Sequence, residues 1–186
     1  MAALAAAALT CALVGCAAPA EEGTPSKPVR PITPVTAGPA LSSEEQALVD
    51  KAWAAYMALT DIYVKAGQRG EYDWNADPEK RPLFRYAGGR FGSALERDLD
   101  LMKEQGLIRT GAPKITLRRV VSVSPTSIVV EACVDDSGTD TIVKQTRKSV
   151  AAPGQNKRYP VTLRAGLYAD GVWRWVESAG DRGSSC

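Results

Sequence analysis

Near residue 110 the spacing of apolar residues changes, and that change constrains the fold more than any other feature. Upstream, Leu48, Ala52, Ala55, Leu59, Ile62 and Ala66 recur at steps of three and four, the period of an amphipathic helix. Downstream, Tyr159, Val161, Leu163, Ala165 and Leu167 alternate with polar residues, the period of a half-buried strand. Helices first and strands second predict an α+β domain, its N-terminal helices packed on a curved, cone-like antiparallel sheet.

The first helix is expected to open at a capping box, Ser42 with Glu45 or Ser43 with Gln46, and to stop at Gly67 and Gly70. A shorter helix is expected over Glu79 to Tyr86, broken by Gly88 and Gly89. A third should start from Ser93 and Glu96, carry Leu95, Leu99 and Met102, and end at Gly106 with Leu107 and Ile108 packing back. The first strand should place Ile115, Leu117, Val121 and Val123 on one face. Ile128 to Val134 forms the second and Thr141 to Val150 the third. The fourth is the alternating run from Tyr159, joined by a hairpin at Asp170 and Gly171 to Val172 to Glu177.

Ahead of the domain, residues 1 to 20 hold no charged side chain and the run Met1 to Ala18 is mostly Ala, Leu, Val and Gly. It reads as an export segment, too short for a spanning helix of about 20 residues. It ends in Leu13-Val14-Gly15-Cys16, similar to the lipobox at which bacterial lipoproteins are cut before a diacylated cysteine. The expectation is a signal peptide over 1–15, lipidation of Cys16 and anchorage to a cell membrane on its extracytoplasmic face. The competing reading is an ordinary signal peptide with an incidental cysteine. No Lys or Arg precedes the apolar run, so either a start codon further upstream or an N-terminally trimmed sequence is expected. Residues 16–41, rich in Pro, Thr, Ser and Gly, read as a semi-extended tether reaching several tens of ångströms, roughly 3.1 to 3.6 Å per residue.

Of four cysteines, Cys11 leaves with the signal and Cys16 takes the lipid, which leaves Cys133 and Cys186 to pair in an oxidising compartment. That bond would stabilise by about 3 to 4 kcal/mol in the chain-entropy picture. The chain has no His and no CxxC, so neither a metal nor a cofactor is expected. The formal net charge of +2 argues against nucleic acid as a partner. Short basic pairs at Arg118-Arg119 and Lys157-Arg158 read as solvated surface.

The order of elements resembles the cone fold of the nuclear transport factor two-like, or SnoaL-like, superfamily. The segments Ser93-Ala94-Leu95-Glu96 through Gly106, Gly111-Ala112-Pro113, Glu131-Ala132-Cys133-Val134-Asp135, Trp173-Arg174-Trp175-Val176 and the terminal Cys186 are similar to actinobacterial secreted lipoproteins that carry this domain. The resemblance spans residues 42–186 and implies fold and location, with no catalytic set to carry over. Without histidine, catalysis would fall to carboxylates such as Asp50 and Asp61, which share the solvent side of the first helix. A concave cone could instead hold a ligand between Trp53, Tyr56, Tyr63, Trp173 and Trp175, residues whose spacing also suits plain core.

Two functions of different class follow. One is a non-catalytic envelope domain that binds a protein or wall component. The other is a small-molecule binder, or a hydrolase or isomerase of the SnoaL-like kind, for which a deep polar cavity would be the mark. Two-fold pairing through an exposed sheet face is the oligomeric expectation.

Overall fold

A computed structural model of the chain describes residues 40–186. The signal segment, Cys11, Cys16 and the tether up to residue 39 lie outside the described residues. Helix α1 runs Ser43–Arg69. The Ser42 hydroxyl accepts from the Glu45 amide at 3.2 Å, and the Glu45 carboxylate accepts from the Ser42 amide at 2.8 Å, so the capping box forms. The helix ends at Gly70, whose φ of 67° is the left-handed conformation that glycine adopts without a Cβ clash. Gly67, expected as a stop, instead lies buried in the last turn, where a Cβ would sit 3.4 Å from the Arg109 side chain.

The next segment departs from expectation. Glu79 to Tyr86 is not one helix but two single turns, Pro78–Lys80 and Pro82–Arg85. Pro82 has no N–H to donate and its ring clashes with a preceding helical turn, so an α-helix cannot run through it. Helix α2 spans Gly89–Glu104 and starts four residues before Ser93, whose hydroxyl bonds back to the Gly89 carbonyl rather than capping. Its start is set by tertiary bonds: the Gly88 amide donates to the Trp175 carbonyl and the Trp175 amide to the Tyr86 carbonyl, each at 2.9 Å. The domain therefore has two α-helices where three were expected.

Six strands follow: β1 (Leu107–Thr110), β2 (Lys114–Val123), β3 (Ser127–Asp135), β4 (Asp140–Val143), β5 (Arg158–Leu167) and β6 (Trp173–Gly180). Strands β2-β3-β5-β6 form one antiparallel sheet, and β1 pairs with β4 in a separate ribbon. Gly106, with a φ of 64°, closes α2 as expected, and Leu107 and Ile108 start β1 directly after it, Ile108 buried. The expected third strand, Thr141 to Val150, folds back on itself. The Val143 amide donates to Lys148, the Val150 amide to Thr141, and Arg147 takes a φ of 59° in the turn.

Two register shifts in β2, after Leu117 and after Val120, bend the sheet and rotate the alternation. Val120 and Val123 consequently pack inward, while Val121, expected on the inner face, is 49% exposed. Both helices lie against the concave face. Leu59, Leu83, Ile128, Leu163 and Trp175 are fully buried between them and the sheet. The convex face is charged and paired across strands, Arg118 and Arg119 to Glu131 and Arg164 to Glu177. Among the described residues no helix is long and apolar enough to cross a membrane.

Candidate functional site

Toward one end of the sheet the helices do not fill the concave face, and a cavity of about 700 Å³ remains. Helix α1 supplies Tyr56, Leu59, Thr60 and Tyr63, which fall on one stripe because residues three, four and seven apart face the same way. Val134 of β3 with Tyr159 and Val161 of β5 form the opposite wall, alternate positions on strands pointing to one face. The rim carries Arg109, Asp136, Asp140, Lys157 and Arg182.

Two clusters of the same composition stand at this rim. In the first, the Tyr63 hydroxyl donates to Asp98 Oδ2 at 2.5 Å, Arg109 Nη2 donates to the same oxygen at 2.8 Å, and the guanidinium lies 4.7 Å from the ring centroid. Burial pushes the Tyr63 hydroxyl well above its ordinary range; Arg109 opposes the shift and Asp98 adds to it. Arg109 is held more strongly cationic than usual, because Tyr63 and Asp98 outweigh its own burial.

In the second, the Tyr159 hydroxyl donates to Asp136 Oδ2 at 2.9 Å. Arg182 Nη2 reaches that oxygen at 3.1 Å and the Tyr159 hydroxyl at 2.8 Å, with its guanidinium 3.8 Å from the ring centroid. Burial, reinforced by Asp136, moves the Tyr159 hydroxyl up to about 12. Arg182 is placed by the C-terminal segment, whose last residue, Cys186, lies at disulfide distance from Cys133 with Cα atoms 5.8 Å apart. Each Asp is thus paired through Oδ2 with an Arg and a phenol, an arrangement that shapes a pocket wall.

Of the five aromatic residues the sequence nominated, Tyr56 and Tyr63 line the cavity. Trp53, Trp173 and Trp175 do not. Trp175 is wholly buried, its Nε1 donating to the Ala52 carbonyl at 3.0 Å and its ring edge-on to Tyr56 at 5.0 Å. Trp173 is 3% exposed, and half-buried Trp53 stacks on Tyr56 at 5.2 Å. Trp53 and Trp175 pack with Tyr56 where α1 meets β6, and Trp173 is buried on β6. Asp50 and Asp61 sit on the exposed side of α1, bonded to Gln46 and Lys65.

Sequence reasoning missed Arg109, Tyr159, Lys157 and Arg182. Lys157 is not solvated surface: it lines the cavity, and its Nζ donates to the Thr139 carbonyl at 2.9 Å. Arg118 and Arg119 are surface residues, as read. Among the described residues no three His, Cys, Asp or Glu side chains are arranged to hold a metal ion.

No protein-family model matches the chain, and no curated protein matches it. Among solved structures, the intermembrane-space region of the chloroplast protein ARC6 is similar at 16% identity and a TM-score of 0.45, over 70% of this chain and 94% of that one. A protein from Catenulispora acidiphila is similar at 14% identity and a TM-score of 0.43, over 74% and 93%. A ketosteroid isomerase-like protein from Erwinia carotovora atroseptica is similar at 17% identity and a TM-score of 0.41, over 75% and 98%. None of these likenesses transfers a residue role to this chain.

Proposed function

We propose that this is a non-catalytic binding domain, taking a small, largely apolar molecule into the cavity beneath α1, and that a lipid on Cys16 and a Pro-rich tether carry it outside a cell membrane. The observation behind the binding role is the cavity itself. At about 700 Å³ it lies within the roughly 300–1,000 Å³ usual for ligand pockets, with an apolar wall and a polar rim. Engagement of Asp98 and Asp136 by arginines, together with a chain that contains no histidine, supports binding over acid–base chemistry. The anchor rests on Leu13-Val14-Gly15-Cys16 and the tether's composition.

The test is titration of the full chain with Nile red, a dye that brightens in apolar surroundings. Saturable brightening is expected, and Thr60→Trp, which puts an indole into the cavity from a half-buried position on α1, should abolish it while far-UV circular dichroism is unchanged. Failure of the dye to saturate, or equal binding by the variant, overturns the reading. For the anchor, metabolic labelling with alkyne-tagged palmitate should mark the wild-type chain and not Cys16→Ser. Label retained by the variant would refute it.

A further inference from the structure

Two segments that the rest of the fold holds lightly complete the cavity rim. The first is residues 151–155, an exposed stretch between β4 and β5. Ala151 and Gln155 line the cavity, and the same stretch lines an outer groove with Ser137 and Gly138, so it is a wall with space on both sides. Pro153 and Gly154 turn the chain there, the glycine with a φ of 75°. Among the described residues, no hydrogen bond runs from Ala152, Gly154 or Gln155 to any residue outside the stretch. Its upstream end is pinned by the Val150 amide on the Thr141 carbonyl at 2.9 Å and the Ala151 amide on the Ser149 hydroxyl at 3.2 Å. Its downstream end is Asn156, next to Lys157, which is tied to the turn after β3. Asn156 itself is gripped by the C-terminal tail: its Nδ2 donates to the Ser184 carbonyl at 2.7 Å, and Arg182 Nη1 donates to the Asn156 carbonyl at 2.8 Å.

That tail, residues 181–186, is the second segment. After the Asp181 amide bonds to the Pro160 carbonyl, the tail meets the domain through Asn156, through Arg182 on Asp136 and Tyr159, and through Cys186 at disulfide distance from Cys133. Asp181 to Ser185 are exposed and include no aliphatic or aromatic residue, so burial does little to hold them. A polar terminus of this kind frays unless it is tied down. Here the tie is Cys133, 8% exposed on β3. One covalent bond therefore keeps Arg182 in the rim and the tail's grip on Asn156.

We infer that Cys133–Cys186 is a redox-operated clasp on the cavity mouth. Oxidised, it holds the tail across the rim; reduced, it lets Arg182 and the Asn156 end of the wall move away, so that ligand enters and leaves faster. This rests on the reading of the cavity as a ligand site. The reductant is a dithiol. One of its thiolates attacks the sulfur of Cys186, the more exposed of the pair, and the Cys133 thiolate leaves. The second dithiol sulfur then displaces Cys186, so the dithiol ends as a disulfide and its two protons end on the two cysteines.

The experiment uses the full chain carrying Cys11→Ser and Cys16→Ser, so that only the pair can cross-link, and follows Nile red by stopped flow before and after dithiothreitol. Association and release should both quicken by about tenfold on reduction, the factor of one charge-assisted hydrogen bond lost from the closed rim, while the dissociation constant moves by less than about threefold. Asn156→Ala keeps the disulfide and breaks the grip, so it should quicken both rates in the oxidised chain, and reduction should then add less than it does when Asn156 is present. Rates that reduction leaves unchanged, or faster release with unchanged association, overturn the clasp and leave the cavity as a binding site. Unaltered rates in oxidised Asn156→Ala, or two free thiols before reductant is added, overturn it as well. If reduction abolishes the far-UV circular dichroism, Asn156→Ala alone decides. Absence of dye binding overturns both readings.

Discussion

Replacing Trp175 with Ala removes the side chain that joins α1 to the sheet, and the size of the effect follows from what it touches. The indole is fully buried, edge-on to Tyr56 and Trp53, and bonded to the Ala52 carbonyl of α1. Truncating a core tryptophan costs about 3–5 kcal/mol in transfer and cavity terms. Two edge-to-face contacts and a neutral hydrogen bond put this residue at the upper end, about 5 kcal/mol. A domain of this size has only about 5–15 kcal/mol in hand, so Trp175→Ala should be barely folded at room temperature. Trp175→Phe keeps a ring and loses the indole N–H, for about 1–2 kcal/mol. Urea unfolding followed by far-UV circular dichroism separates the cases: with a slope of roughly 1–3 kcal/mol/M, the Ala variant should lose well over about 1 M in midpoint and the Phe variant about a third of that. An Ala variant losing less than about 1 kcal/mol, with altered Nile red binding, would refute the core assignment and return Trp175 to the cavity wall.

Reducing the Cys133–Cys186 bond, which closes a loop across 53 residues, should lower stability by about 4 kcal/mol and detach Arg182 from Asp136; equal urea midpoints with and without reductant would show that the pair is not bonded in the purified chain. Arg81→Met strands the Glu96 carboxylate, which is 7% exposed, and should cost about 3 kcal/mol, while Arg81→Met with Glu96→Leu should recover much of it; a double variant no better than the single would show that the ion pair is not what makes the loss. At high pH the buried phenols destabilise the fold. Tyr56 and Tyr159 are raised from 10.0 to about 12, so their contribution is complete below pH 10 and is lost as pH climbs toward 12, where the unfolded chain releases protons that the folded one keeps. Urea midpoints should fall over that interval, and ultraviolet difference spectra should show these two tyrosines ionising late. Ionisation of all six at pH 10 with no loss of stability would contradict their burial.

The helix and strand periods were readable wherever local chemistry decides local structure. The Ser42–Glu45 box, the Gly70 stop, the Asp170-Gly171 turn and the alternation in β5 involve residues close in sequence, and each formed as its pattern predicts. Departures arose where a distant group outweighs the local signal. Ser93 and Glu96 spell a capping box, but α2 begins earlier because Gly88 bonds to Trp175 on β6, and Glu96 turns to Arg81 instead. Thr141 to Val150 has strand-forming residues, yet its partners are β1 and its own returning end. The alternation of β2 was misread at Val121 because a register shift leaves no mark in the apolar pattern until the paired strand is known.

For the cavity the difference is sharper. Spacing alone placed Tyr56 and Tyr63 on one stripe of α1, since both lie on a single helix. Nothing local says that Tyr63 meets Asp98 and Arg109, 35 and 46 positions on, or that Tyr159 meets Asp136 and Arg182. Composition and period alone determined an α+β domain with helices on one face of an antiparallel sheet, and left Cys133 and Cys186 as the cysteines available to pair within it. Only the tertiary structure decided which aromatics became core and which became wall, because that depends on how far the bent sheet stands from α1 at each position, a distance set by long-range packing that the neighbours of a residue in sequence do not encode.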